Sequence, residues 1–190
     1  MQNPDPGNSH DLSLPDWGPY SKRFFGVSHI PDDSGDRFDF AGTIFEVLYT
    51  WEDLGDEPIP NINDSSLVIR VTMADRSLML LADTCYDSGP IMHKMWGSHL
   101  KSDIVQVAHH GMWPSVAEIY EDIKAEIVLF TDLKKNVKSW IKDSRWKSVM
   151  DVILSYARDI YISGDALEII EFQPFPENNK DSVLQMLENL

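Results

Sequence analysis

The fold of this chain is decided between residues 63 and 111. There the sequence reads Asn63-Asp64-Ser65-Ser66-Leu67-Val68-Ile69, then Leu80-Leu81-Ala82-Asp83, then Val107-Ala108-His109-His110-Gly111. Each segment contains an apolar run bounded by turn-forming polar residues, which is typical of buried strands. Two of the runs end directly on Asp83 and on the pair His109-His110. Because functional side chains concentrate where rigid elements end in loops, we expect the chemistry of this chain at these strand ends.

Bulk composition limits the class of protein. The chain has 190 residues, 43% of them hydrophobic and 25% charged, which is typical of one folded domain. A net charge of −15 argues against long nucleic acids and anionic membranes as partners, but a phosphodiester bound locally at a metal remains compatible with it. The single cysteine, Cys85, fits a reducing compartment. No signal peptide and no membrane span are recognisable, so we expect a soluble, cytoplasmic protein.

Changes in composition along the chain predict three parts. Residues 1–23 are rich in proline, glycine and polar residues, which predicts a mobile or surface-draped lead-in. Residues 24–175 alternate between strand-like and helix-like periodicity and form the expected domain, starting with a short strand at Phe24–Val27. Residues 176–190 form a predicted tail that contains a terminal helix at Ser182–Leu190.

Within the domain, the periodicity predicts strands first and alternating helices and strands later. The predicted elements are a strand Phe38–Thr50 with a turn near Gly42, a hairpin Ser66–Thr72/Ser77–Ala82, a helix from Asp87 to Leu100 with Ser88 as a candidate N-cap, a strand Asp103–Ala108, a helix Pro114–Ala125, a strand Glu126–Phe130, a helix Asn136–Arg158 broken near Asp143, and a last hairpin Asp159–Ile162/Ala166–Phe172. This order indicates a layered α/β architecture with a mixed sheet.

Asp83 and His109 follow consecutive predicted strands that are separated by one helix. If the strands are parallel neighbours joined by a crossover, both side chains emerge at the same edge of the sheet. A carboxylate and an imidazole that converge there are suitable ligands for Zn²⁺ or a similar cation. From local sequence alone, a turn-forming aspartate and a pair of polar surface histidines are equally open interpretations.

Taken together, the three segments quoted above resemble the second half of a metallo-β-lactamase-fold domain. The branch they resemble is attached to bacterial DNA-uptake channel proteins (the competence ComEC type) and has free-standing relatives. That branch reads Asn-x-x-Ser-Leu-Val, Leu-Leu-x-Gly-Asp and Val-x-His-His-Gly-Ser. The resemblance covers roughly residues 38 to 172 of this chain. It implies the C-terminal half of an αββα sandwich, with a mixed sheet and helices on one face.

The resemblance also implies roles for particular residues. Asp83 would bridge two metal ions and His109 would be a later ligand, so both would belong to the catalytic centre. His110 would support these ligands or replace one of them. The implied cofactor is zinc or manganese, and the implied activity is metal-dependent hydrolysis, with phosphodiesters as the expected substrate class.

The sequence departs from the family pattern in ways that bear on activity. The family's His-x-His-x-Asp-His does not occur in the chain and is expected upstream of residue 1. Ala82 replaces a glycine, Met112 a serine, and Ser144-Arg145-Trp146 occupies the place of a His-Pro pair. Because a zinc site takes about three or four protein ligands, we expect this chain alone to be inactive.

Two functional hypotheses follow from these departures. In the first, the chain is part of a hydrolase whose partner is a missing N-terminal half or a second copy of the chain. In the second, it is a degenerate pseudo-enzyme that serves as a protein-interaction domain. The first hypothesis predicts that the sheet face and edge which the missing half would cover are apolar and exposed.

Other candidate residues have simpler interpretations. His93 and His99 flank an apolar helix face and are expected to be packed or solvated helix residues. Cys85 is expected to be a small buried residue. The acidic loop between residues 52 and 57 lacks the ligand spacing of a calcium loop and is expected to be a solvated surface.

Overall fold

The computed structural model describes residues 33–55 and 61–164. The lead-in 1–23, the strand Phe24–Val27, the strand Ala166–Phe172 and the tail 176–190 with its helix lie outside the described residues and stay predictions. Within the described ranges, no helix has the length and apolar character that crossing a bilayer requires.

The described residues form a seven-stranded mixed sheet in which strand order follows chain order. The strands are β1 (Arg37–Phe40), β2 (Thr43–Tyr49), β3 (Val68–Met73), β4 (Arg76–Leu80), β5 (Ile104–Gln106), β6 (Ile127–Phe130) and β7 (Asp159–Ile162). The helices of the described ranges are α1 (Ser88–Trp96), α2 (Ala117–Ile123), α3 (Lys134–Lys142) and α4 (Lys147–Tyr156). Strands β1 to β4 pair antiparallel, and β4 to β7 pair parallel.

Short turns connect β1 to β2 and β3 to β4. Phe40 pairs with Thr43 across Ala41 and Gly42, whose φ angles of 53° and 81° are both positive. Two left-handed residues give a turn whose twist matches that of the flanking strands, and glycine adopts this conformation without steric cost. The predicted turn near Gly42 is therefore confirmed.

Helical crossovers connect the parallel strands, and they place the helices. Because crossovers between parallel strands are right-handed, a sheet whose strands β4 to β7 follow one another in order carries all the crossover helices on the same face. The predicted class, α/β with a mixed sheet and helices on one face, is confirmed.

The main hydrophobic core lies between the sheet and these helices. Met79, Val105 and Val128 occupy adjacent register positions on β4, β5 and β6 and are buried. They belong to the same cluster as Ile119 of α2 and Met150 of α4. Complete burial of an aliphatic side chain of this size contributes about 1.5–3 kcal/mol, so this layer holds the strand ends in place.

The opposite face of the sheet is also apolar. Leu78, Ile104 and Ile127 lie side by side on this face, and the latter two are only 3% and 5% exposed. Neither Ile104 nor Ile127 belongs to the helix-side cluster. The expectation of an apolar face is confirmed, but the expectation of exposure is wrong, because these side chains are buried or half-buried.

Two predicted helix starts need correction. Ser88, the predicted N-cap, is instead the first residue of α1, with Asp87 at the N-cap position. The prediction started a helix at Pro114, whereas α2 starts at Ala117. Ser115 has a φ of 64°, which a right-handed helix excludes, and its hydroxyl donates to the Cys85 carbonyl oxygen. A tertiary hydrogen bond therefore delays the helix. The predicted break near Asp143 is confirmed, because α3 ends at Lys142 and α4 begins at Lys147.

Candidate functional site

The parallel pairing of β4 with β5 brings the two predicted strand ends together. Leu80 pairs with Gln106, and the His109 amide donates to the Ala82 carbonyl oxygen at 2.9 Å. The loops that carry Asp83 and the two histidines therefore leave the same edge of the sheet, as predicted.

Asp83 contacts His110 at this edge. Asp83 Oδ1 lies 3.4 Å from His110 Nε2, and the two side chains are 44% and 45% exposed. On the other side of the ring, His110 Nδ1 lies 3.1 Å from the Thr131 carbonyl oxygen and 2.9 Å from Thr131 Oγ1. Because a carbonyl oxygen only accepts, this contact places a hydrogen on Nδ1. Nε2 is the ring nitrogen that lies beside the carboxylate.

His109 occupies a different environment from its neighbour. Its side chain is 8% exposed, and its Nδ1 lies 3.4 Å from both Cys85 Sγ and Asn63 Nδ2. Burial lowers the pKa of His109; the nearby Asp83 carboxylate opposes this shift, and His110 adds to it. A neutral imidazole that accepts hydrogen bonds at Nδ1 fits these surroundings.

The backbone explains how two adjacent histidines reach different places. His109, His110 and Gly111 have φ angles of 47°, 61° and 92°, so the turn consists of successive left-handed residues. A left-handed conformation costs about 1–2 kcal/mol for a residue with a side chain. At Gly111, a Cβ atom would also lie 2.8 Å from the Phe130 ring. The turn leaves the two imidazole rings 67° apart in plane, with centroids separated by 6.0 Å.

Cys85, His93 and His99, the other candidates named from the sequence, have structural roles. Cys85 is buried, and burial together with the nearby Asp64 carboxylate raises the pKa of its thiol to about 11, which disfavours the nucleophilic thiolate. His93 pairs with Asp122 at 2.6 Å and links α1 to α2. His99 Nε2 lies 2.9 Å from Glu46 Oε1, beside the Glu46–Arg70 ion pair.

The geometry of the Asp83–His110 pair can be compared with that of a cation site. Bonds of about 2.0–2.2 Å to a tetrahedral zinc place neighbouring ligand atoms roughly 3.3–3.6 Å apart. The separation of 3.4 Å between Asp83 Oδ1 and His110 Nε2 fits that range. Over residues 33–55 and 61–164, no group of three or more His, Cys, Asp or Glu side chains could hold a metal ion. The described residues thus fit two ligand positions of such a site.

Sequence reasoning missed the contribution of Thr131, which follows β6. The strand-end rule that identified Asp83 and His109 also applies to β6, the next parallel strand, and could have found it. The carboxylate of the adjacent Asp132 accepts hydrogen bonds from residues that follow it in the chain. Burial raises the pKa of Asp132, but hydrogen bonds from the Leu133 amide, Asn136 and Trp140 outweigh burial and hold this pKa below its ordinary value.

Comparisons with known proteins add little to this geometry. No protein-family model and no curated protein matches the sequence. Among solved structures, the CmlA beta-hydroxylase E377D mutant is similar, with 15% sequence identity and a TM-score of 0.46. The likeness covers 70% of this chain and 32% of that chain, so this protein spans about a third of the length of its structural neighbour.

Proposed function

We propose that this chain supplies part of a metal-dependent hydrolase centre of the metallo-β-lactamase type, in which Asp83 and His110 hold a divalent cation. One observation carries the proposal: Asp83 Oδ1 lies 3.4 Å from His110 Nε2 while Thr131 engages the opposite ring nitrogen. Histidine ligands of metals commonly donate their second N–H to a carbonyl or carboxylate oxygen. The arrangement at His110 has this form.

The chain's own residues would position the two ligands. The Thr131 carbonyl oxygen accepts the hydrogen on His110 Nδ1, and the Ser66 hydroxyl accepts the Asp83 amide hydrogen at 3.2 Å. A cation at this position would polarise an ester or phosphodiester as a Lewis acid. The phosphodiester substrate class, zinc or manganese as the cation, and the DNA-uptake (ComEC-type) branch all come from the sequence resemblance. Asp83 and His110 would hold the cation in this chain alone, and an N-terminal half or a second copy of the chain would supply the remaining ligands of a complete centre.

Calorimetric titration of the full chain with Zn²⁺ and Mn²⁺ tests the proposal. Binding by the wild type that is lost in both Asp83→Ala and His110→Ala is the expected result. His93→Ala is the matched control, because His93 is also an exposed histidine paired with an aspartate, and it should bind as the wild type does. Absence of wild-type binding, or equal binding by all variants, would overturn the proposal.

The half-buried apolar residues on the sheet face opposite the helices favour a second candidate, a non-catalytic interaction domain. Leu80 and Leu129 lie half-buried on this face, on either side of Gln106. Under this candidate, the chain self-associates through the face and binds neither cation. Sedimentation of the wild type and of Leu129→Lys tests it: the wild type should associate and the variant should not. A wild-type chain that sediments as a monomer would contradict this candidate.

A further inference from the structure

We infer that Asp64 is a positioning residue for the candidate cation pair, acting through the loop between β4 and α1 that carries Asp83. The inference rests on the proposed function. Asp64 lies in the 3-10 turn Ile62–Ser65 shortly before β3, and it is not itself one of the candidate ligands.

The Asp64 carboxylate is directed at the far end of that loop. Its side chain is 0% exposed, and its Oδ1 accepts the Cys85 amide at 2.8 Å and the Ser88 amide at 3.2 Å. The Ser88 hydroxyl donates to the same oxygen. Ser88 is the first residue of α1, where unpaired amides and the helix dipole favour a negative charge. Asp64 therefore fixes both the start of α1 and the loop that leads into it.

The neighbours of Asp64 in the chain contact Asp83 and His109. Ser66 Oγ accepts the Asp83 amide at 3.2 Å and donates to the Asn63 carbonyl oxygen at 2.7 Å. Asn63 Nδ2 lies 3.4 Å from His109 Nδ1. The segment Asn63–Ser66 thus contacts both loops that carry candidate ligands.

Burying the Asp64 carboxylate costs free energy, because one of its two oxygens has no partner among the described residues. Within the described part of the chain, Asp64 Oδ2 is buried and has no hydrogen-bond partner. Leaving a buried polar atom unpaired is unfavourable, but an apolar residue in its place would remove the acceptor of the Cys85 amide and of the Ser88 amide and hydroxyl. The benefit of a carboxylate here is the fixed geometry of residues 83–88. Removing residues that orient metal ligands typically weakens metal binding by about 10–100-fold.

The test uses the full chain with Asp64→Ala, the conservative Asp64→Asn, and Asp103→Ala as the matched control. Asp103 Oδ2 accepts the Ser77 amide at 2.7 Å and the Ser77 hydroxyl at 3.0 Å, the same kind of contact at the opposite ends of β4 and β5. The readouts are Zn²⁺ titration and amide hydrogen exchange at Cys85 and Ser88, measured by NMR.

Asp64→Ala should weaken Zn²⁺ binding about tenfold or more and accelerate exchange at both amides. Asp64→Asn keeps an acceptor oxygen and should restore most of the affinity, while Asp103→Ala should leave affinity and both amides unchanged. Unchanged exchange in Asp64→Ala, or equal loss of affinity in Asp103→Ala, would overturn the inference. If Asp64→Ala does not fold, Ser88→Ala removes one donor to Asp64 and should accelerate exchange at Cys85; unchanged exchange there would also overturn it.

This experiment distinguishes failure of the proposed function from failure of the positioning role inferred for Asp64. A wild-type chain that binds neither Zn²⁺ nor Mn²⁺ contradicts the proposed function. The exchange rates at Cys85 and Ser88 still decide whether Asp64 holds the loop.

Discussion

His110 Nε2 lies 3.4 Å from Asp83 Oδ1, whereas the Nδ1 atom of the adjacent His109 lies 3.4 Å from the buried thiol of Cys85. One of two consecutive imidazoles therefore faces the exposed carboxylate, and the other is part of the protein interior. This division predicts different effects of removing each ring.

His109→Ala should lower the free energy of unfolding by about 1–3 kcal/mol, because it leaves a cavity and removes the partner of two polar groups. His110→Ala should change it by less than about 0.5 kcal/mol, because nearly half of that side chain is exposed. Urea unfolding of both variants at neutral pH measures the difference. Equal destabilisation would show that the two rings are not divided in this way.

Gly111→Ala should destabilise the fold by about 2–4 kcal/mol, combining left-handed strain with the overlap between a Cβ atom and the Phe130 ring. Gly42→Ala is the matched control, because Gly42 also has a positive φ but open space around it. Gly42→Ala should lower the free energy of unfolding by about 1 kcal/mol. Chemical denaturation of both variants gives the difference, and equal losses would mean that Phe130 adapts without cost.

Tyr49→Phe should lower the free energy of unfolding by about 1–2 kcal/mol. The buried Tyr49 hydroxyl donates to the Asp64 carbonyl oxygen at 2.7 Å, and the substitution leaves that oxygen unpaired. Tyr86→Phe is the control, because Tyr86 is exposed, and it should leave stability nearly unchanged. Thermal unfolding followed by circular dichroism measures both, and a neutral Tyr49→Phe would contradict the assignment of this hydrogen bond.

Glu46 should make stability depend on acid pH. Burial raises the pKa of Glu46, but hydrogen bonds from Arg70 and His99 outweigh burial and hold the pKa below its ordinary value of 4.5. Because the folded pKa is the lower one, this contribution is present above pH 4.5 and is lost as pH falls through the folded value.

Glu46→Gln should therefore destabilise the protein at pH 7, and the difference from the wild type should shrink as the pH falls below 4.5. Asp151→Asn, which removes an exposed i,i+4 pair with Lys147, should have no measurable effect at either pH. Unfolding at a series of pH values tests this. A difference in free energy of unfolding between the wild type and Glu46→Gln that stays constant into the acid range would contradict this prediction.

Much of the fold follows from the sequence because the signals are local. The apolar runs at Ser66–Thr72 and Ile104–Ala108 define strands, the residues around Gly42 define a turn, and the alternation of strands and helices after Ala82 defines parallel crossovers. The same rules predicted that Asp83 and the two histidines meet at one edge. The start of α2 could not be predicted, because a hydrogen bond from Ser115 to a distant carbonyl sets it.

The sequence by itself determined the α/β class, the mixed sheet and the position of Asp83 and the histidine pair at strand ends, because periodicity and crossover handedness are set by local chemistry. Only the tertiary structure decided which histidine faces Asp83, that Thr131 engages the same ring, and that Asp64 holds the neighbouring loop. These contacts depend on a left-handed turn and on side chains that are distant in sequence, and no periodicity encodes them.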